Sequence, residues 1–193
     1  MFLLILYLFL TVFVSFLCSI SESVMFSTSI PYAETLATKS KGGKLLKSLK
    51  DNMGRPISAI LSVNTIANTL GASAVGMQVQ EVLGSEWFGY VSAGLTVTIL
   101  IFSEIIPKTI GTSYWRTLAL PASAIINGMI FITFPLVWVL EKMQKLISSR
   151  STQVSVSRED ISAMVSVATE EDVIEKEEKK MIQNLLKLDE VTA

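Results

Sequence analysis

The chain has no histidine, and Cys18 is its only cysteine in 193 residues. Without imidazole, Cys–His nucleophiles and the usual zinc sites are excluded, and one thiol cannot close a disulfide within the chain. Cys18 itself lies in an apolar stretch and reads as a small core residue. Charge is scarce as well. Only 17% of residues are charged and the net charge is −1, so the basic surface that a nucleic-acid partner needs is missing. The first segment has neither a basic start nor a small-residue cleavage pattern, and its uncharged run from Met1 to Leu17 exceeds the core of a signal peptide. What the chain does have is apolar surface. Half of its residues are hydrophobic and mean hydropathy is +0.53, which is too apolar for an ordinary soluble domain. The length suits one membrane domain with a small appendage.

The pattern predicts an all-α integral membrane fold with three transmembrane helices. The first runs over roughly 2–28 and is ended by Pro31. Residues 32–56 carry Lys39, Lys41, Lys44, Lys47, Lys50 and Arg55 against Glu34 and Asp51, with a break at Gly42-Gly43. By the positive-inside rule that loop is cytoplasmic and the N-terminus is outside. The second span is 57–80. Ala67, Gly71 and Val75 form one row at four-residue spacing and Ala72 and Gly76 another, and such rows let helices approach closely. Residues 80–87 hold Glu81 and Glu86 but no basic residue. They suit the outside, with Trp87 and Tyr90 in an interface belt. The third span, 88–106, ends in Ser103-Glu104-Ile105-Ile106-Pro107-Lys108, where Pro107 lacks the N–H that would reach the Ser103 carbonyl.

Residues 117–147 are apolar but divided by Pro121, Asn127-Gly128 and Pro135, with basic residues before them and toward and after their end. Two short helices, 117–132 and 135–149, are expected to lie in or dip into the inner leaflet; a fourth span is the alternative. Residues 1–150 would form the membrane domain. A polar linker, 151–157, would lead to a cytoplasmic helical bundle within 151–193. Ser157 with Asp160, and Thr169 with Asp172, look like helix starts. Residues 158–190 hold ten acidic and five basic residues, a net of −5. That is either a solvated helical face or a cation-sensitive element.

Polar residues recur at helical spacing inside the spans. Ser15, Ser19, Ser23 and Ser27 are four apart and form one stripe, with Glu22 beside it. Asn64 and Asn68 are likewise four apart, and Glu104 sits at the Pro107 break. Serines can back-bond to the carbonyl four residues earlier, and asparagines can bond across helices. Taken together, Ser19, Ser21, Glu22, Ser23, Asn64, Asn68 and Glu104 offer hard oxygen donors and no nitrogen or sulfur. Such a set suits Mg²⁺, Ca²⁺ or an alkali cation. A membrane protease or other enzyme has no Gly-x-Ser-x-Gly elbow or paired Asp motif to support it.

Three of these stretches carry a family resemblance. Ser19-Ile20-Ser21-Glu22-Ser23 resembles the Ser-Gly-Ser-Glu-Thr signature of the CorC/CNNM (cyclin M) family. Asn64-x-x-x-Asn68 is similar to its Asn-x-x-x-Asn. Ser103 to Lys108 is similar to its Gly-Glu-Ile-x-Pro-Lys, with serine in place of glycine. Leu118 to Pro121, Pro135 to Trp138 and the tail from Ser157 to Ile182 also have counterparts, so the likeness covers essentially the whole chain. The resemblance implies a DUF21 transmembrane domain followed by an acidic helical bundle, a homodimer in the plasma membrane, and Mg²⁺ export coupled to Na⁺ entry. It maps the Mg²⁺ ligands to Ser19, Ser23, Asn64, Asn68 and Glu104, with Ser21 and Glu22 as further members. It also implies ATP-binding CBS modules in a full-length protein. This chain stops at about where those would begin, so a truncated chain or a short member is expected. A regulatory membrane protein that senses Mg²⁺ without moving it is the alternative.

Overall fold

The computed structural model describes residues 1–148, 158–170 and 173–187. Every regular element among them is helical: α1 (Phe2–Ser27), α2 (Ile30–Lys39), α3 (Lys41–Asp51), α4 (Gly54–Leu83), a 3₁₀ turn (Ser85–Trp87), α5 (Phe88–Thr98), a π-helical stretch (Ile99–Ile105), α6 (Ile106–Ser113), α7 (Trp115–Ile132), α8 (Phe134–Ser148), α9 (Arg158–Glu170) and α10 (Lys176–Lys187). The chain divides into two compact units, 1–149 and 150–193. The expected linker 151–157, the Ser157 helix start, and Asp172 lie outside the described residues.

The first unit exposes large apolar side chains and buries a row of hydroxyls among its apolar core. Phe2, Ile5, Phe9 and Phe13 of α1 are exposed, as are Phe102 on the π stretch and Phe131 on α7. Thr11, Ser15, Ser19, Ser21 and Ser23 of α1 are buried. In water this arrangement would leave the apolar face without a partner; against lipid it is the expected one. Three segments are long and apolar enough to cross a membrane: Phe2–Ser27, Ser85–Ser113 and Trp115–Ile132. Two of them match the first and third expected spans. The third expected span continues past Pro107 to Ser113 without a break. The second expected span corresponds to α4, whose 30 residues extend about 45 Å at 1.5 Å per residue. Its serines, threonines and asparagines keep it below the apolarity of the other three. By length and composition α7 qualifies as a span, although Pro121 lies inside it.

α1 is the central element, packed on α4, α6, α7 and the π stretch. Cys18, Met25, Ile60, Ile126 and Val137 join α1, α4, α7 and α8 in one core. Val24, Ala33, Leu46 and Ala119 join α1 to α2, α3 and α7 in a second. Cys18 is fully buried, as a core residue should be.

The basic segment 32–56 is more ordered than its composition suggests. Pro31 does not merely end α1; it stands in the first turn of α2, where its missing N–H costs nothing. Gly42-Gly43 lies inside α3. Ser40 caps that helix by accepting from Gly43 N at 2.9 Å, and a Cβ on Gly43 would collide with the Leu36 carbonyl. The glycine pair is therefore what lets α2 and α3 fold against each other. In the second unit α9 and α10 pack together. Thr169 does not start a helix: it lies in the last turn of α9 and back-bonds to Val165 O at 2.8 Å. The start of α10 is capped by Glu178, whose carboxylate accepts from Glu175 N at 2.9 Å, the glutamate half of a capping box.

Candidate functional site

Small residues bring α1 and α4 together. Gly71 lies against Thr11 so closely that a Cβ there would overlap the threonine. Two turns along α4, Ser15 Oγ donates to Asn64 Oδ1 at 2.8 Å, and Asn68 Nδ2 donates weakly to the same oxygen at 3.4 Å. Ser15, Asn64 and Asn68 thus form one polar chain across the α1–α4 seam. Asn68 Oδ1 is buried and has no partner among the described residues.

The serines of α1 do not behave as ordinary helix serines. Thr11 and Thr28 back-bond to the carbonyls of Tyr7 and Val24 at 2.7 Å. Ser15 and Ser23 instead bond to other helices. Ser19 Oγ and Ser21 Oγ are buried and bond to nothing among the described residues. A buried donor or acceptor left unpaired costs about 1–3 kcal/mol, so each such atom calls for a partner. At 100° per residue, Ser15, Ser19 and Ser23 share one face of α1, while Ser21 is turned to roughly the opposite side. Ser21 therefore does not extend the same row.

The third segment meets α1 through Ser103, fully buried, whose hydroxyl donates to Val12 O at 3.3 Å. Here the helix widens. Ile106 N reaches back five residues to Ile101 O, the π pattern that often accompanies functional sites. Pro107, lacking an N–H, cannot supply the α-helical bond to Ser103 O, and the wider turn carries the chain on into α6. Glu104 lies within that turn and is half-buried. Among the described residues its carboxylate has no ion-pair or hydrogen-bond partner.

Glu22 is better provided for. Lys108 Nζ stands 3.3 Å from Glu22 Oε2, and Lys108 O accepts from Ser23 Oγ at 2.7 Å and Thr112 Oγ1 at 2.6 Å. Gly111 permits this approach, since a Cβ there would lie 2.8 Å from Ser23 Cβ. Beside the pair a cleft of about 410 Å³ opens, lined by Glu22, Ser23, Ser27, Lys108, Thr109 and Thr112 among others. The candidate residues therefore fall into two neighbouring groups. Ser15, Asn64 and Asn68 are joined along α1–α4, while Glu22 and Ser23 line the cleft between α1 and α6. Ser19 lies on the serine row between them, one turn from each, and Glu104 stands on the third segment.

Among the described residues no three His, Cys, Asp or Glu side chains cluster as a metal site would. A cation held here would depend on hydroxyl and amide oxygens with one or two carboxylates. Such oxygens suit hard cations. Sequence reasoning named Ser19, Ser23, Asn64, Asn68 and Glu104 but passed over Ser15 as a partner of Asn64 and Lys108 as the partner of Glu22. Both signals were present: Ser15 opens the serine row, and Lys108 follows the proline.

Residues 5–178 match the model of the cyclin M transmembrane N-terminal domain. A UPF0053 protein of Synechocystis is 29% identical over 187 residues, which cover 96% of this chain and 54% of that protein. A UPF0053 inner membrane protein of Escherichia coli, YfjD, is 27% identical over 79% of this chain and 37% of its own length. A polyamine export protein of Haemophilus influenzae is 25% identical over 71% of this chain and 36% of its own. The chain thus spans about half, or less, of the length of these relatives. With an apolar exterior, three segments long enough to cross a bilayer, and a family match over most of its length, the chain is a multi-pass membrane protein belonging to the cyclin M family.

Proposed function

We propose that this chain is the membrane core of a divalent-cation transporter whose cargo is Mg²⁺. The observation that carries the reading is the set of unsatisfied oxygens on facing helices. Among the described residues, Ser19 Oγ and Asn68 Oδ1 are buried without partners, and the Glu104 carboxylate stands unpaired on the third segment. A dehydrated Mg²⁺ needs about six oxygens at roughly 2.0–2.1 Å. Ser19, Ser23, Asn64, Asn68 and Glu104 are the proposed ligands, with Glu22 as an entry charge at the cleft and Ser21 outside the row. The ion enters from the cytoplasm through the Glu22–Lys108 cleft. Export is coupled to Na⁺ entry, and the working unit is a homodimer in the plasma membrane with its N-terminus outside. The segment 117–149 forms a cytoplasmic-side belt. Residues 1–150 are the transport domain, 151–193 a cytoplasmic bundle, and ATP-binding modules would follow in a full-length protein.

The relative named as a polyamine exporter favours a second reading, an organic polycation as cargo. An extended polyamine needs carboxylates spaced along its length. The polar face of the spans offers Glu22 and Glu104, and Lys108 already neutralises the first. The single-ion reading fits that charge inventory better.

Mg²⁺ binding and efflux in proteoliposomes test both. Wild type is expected to bind and move Mg²⁺, and Ser19→Ala, Asn68→Ala and Glu104→Gln to weaken binding at least tenfold. Binding without flux would identify a sensor. Flux of a polyamine with no Mg²⁺ binding would replace the cargo, and unchanged Mg²⁺ binding in all three variants would remove the site.

A further inference from the structure

A second polar cavity lies apart from the proposed cation route, where α3, the start of α4, and α7 meet. It encloses about 220 Å³ and is lined by Ser48, Asn52, Arg55 and Asn127, with apolar wall from Leu45 and Ile130 among others. Asn127 is an exposed amide in an otherwise apolar stretch of α7. Arg55 Nε is buried and makes no hydrogen bond among the described residues; its carboxylate neighbour, Glu141 Oε1, is 3.6 Å away, beyond hydrogen-bond reach. Arg55 also stands in the first turn of α4, whose N-terminus has no side-chain cap and adds positive potential.

The surroundings are basic. Residues 39–55 hold six lysines and arginines against Asp51 alone. Lys47 is taken by Glu34 at 3.2 Å and Lys50 by Met25 O at 3.0 Å. Lys41 and Lys44 are exposed and lie one helical turn before Leu45 and Ser48 on the same rows. A guanidinium fork, two amides and a hydroxyl form a donor set for a phosphate. The apolar half of the lining suits the glycerol and first acyl carbons attached to a lipid phosphate, rather than a free anion.

We propose that this cavity binds the phosphate of an anionic phospholipid, with Arg55 as its principal donor and Glu141 as the internal competitor for that arginine. The protein, reconstituted in phosphatidylcholine nanodiscs containing a minor fraction of phosphatidylglycerol, is released and its retained lipids are read by native mass spectrometry. Wild type is expected to retain phosphatidylglycerol over phosphatidylcholine. Arg55→Gln should lose about tenfold of that preference, the scale of one charge-assisted bidentate contact, and Asn127→Ala a smaller part of it. Glu141→Gln should strengthen it. The opposite signs separate lipid binding from a merely structural Arg55–Glu141 pair, which would make both variants fail alike and so overturn the proposal. Equal loss in Lys39→Gln, a lysine outside the cavity, would reduce the effect to general charge attraction and also overturn it. So would inorganic phosphate added to pure phosphatidylcholine discs, if it raised thermal stability as much as phosphatidylglycerol does, because the ligand would then be a soluble anion.

Discussion

Replacing Gly71 by alanine sets two effects against each other. In a helix interior alanine is favoured over glycine by about 1 kcal/mol. At this position, however, the new Cβ would lie 2.7 Å from Thr11 Cβ and 2.5 Å from Thr11 Cγ2, and would meet Oγ1 as well. Thr11 cannot easily turn away. It is 4% exposed, its χ1 is stiff by branching, and its hydroxyl is held to Tyr7 O at 2.7 Å. The seam between α1 and α4 must therefore open. Overpacking of this kind costs about 1–3 kcal/mol; so deep an overlap belongs at the upper end, leaving a net loss of about 2 kcal/mol after the helix term. The Ser15–Asn64 bond lies on the same seam and Ser19 stands one turn further along α1, so Mg²⁺ affinity should fall as well, by about tenfold for each 1.4 kcal/mol of misplacement. Thr11→Ala removes the obstacle. The assay is a double-mutant cycle, in which unfolding and Mg²⁺ titration in micelles are followed for wild type, both single variants and the pair. The pair should be more stable than Gly71→Ala alone, with a coupling of more than about 1 kcal/mol. Additive losses, or a Gly71→Ala variant as stable as wild type, would refute the close-seam reasoning.

Lys108→Gln leaves the Glu22 carboxylate facing the cleft without its cation. With Lys108 46% exposed and Glu22 21%, the pair lies between surface and buried cases, and a cycle with Glu22→Gln should give a coupling of about 1 kcal/mol in thermal unfolding. Loss of that positive charge should also tighten divalent-cation binding at the cleft. Ser15→Ala leaves Asn64 Oδ1 with only the long Asn68 contact and should cost about 1–2 kcal/mol in the same unfolding assay. Burial holds the Lys50 ammonium below its ordinary value of 10.5. The unfolded chain then binds the proton more tightly, so stability should rise as pH climbs through the folded value toward 10.5. Lys50→Met should flatten that rise relative to wild type when unfolding midpoints are compared across the alkaline range toward 10.5.

The membrane helices were legible because apolar length and small-residue spacing are local properties. The serine row and the Asn64–Asn68 pair were legible because a four-residue repeat places side chains on one face whatever the helix packs against. What Pro107 does was only half legible. Its missing N–H is certain from the residue, but whether the helix breaks or widens depends on packing around Ser103 and Gly111. The α2–α3 pair was hidden for a similar reason: Gly42-Gly43 reads as a break until the Leu36 carbonyl is in place beside it. The Glu22–Lys108 pair joins residues 86 positions apart and needs the register of α1 against α6. The second span was expected at 57–80 from its small-residue rows and length; apolarity alone understates it, because the serines, threonines and asparagines of α4 dilute the signal.

Mn²⁺ in place of Mg²⁺ would make a cation held among the oxygens of the three segments visible. Anomalous diffraction from crystals grown with Mn²⁺ should give a peak bounded by Ser19, Asn64, Asn68 and Glu104, and the peak should vanish in Glu104→Gln. A peak elsewhere in the molecule, or no peak with Mn²⁺ well above its measured Kd, would rule out a cation site among these oxygens.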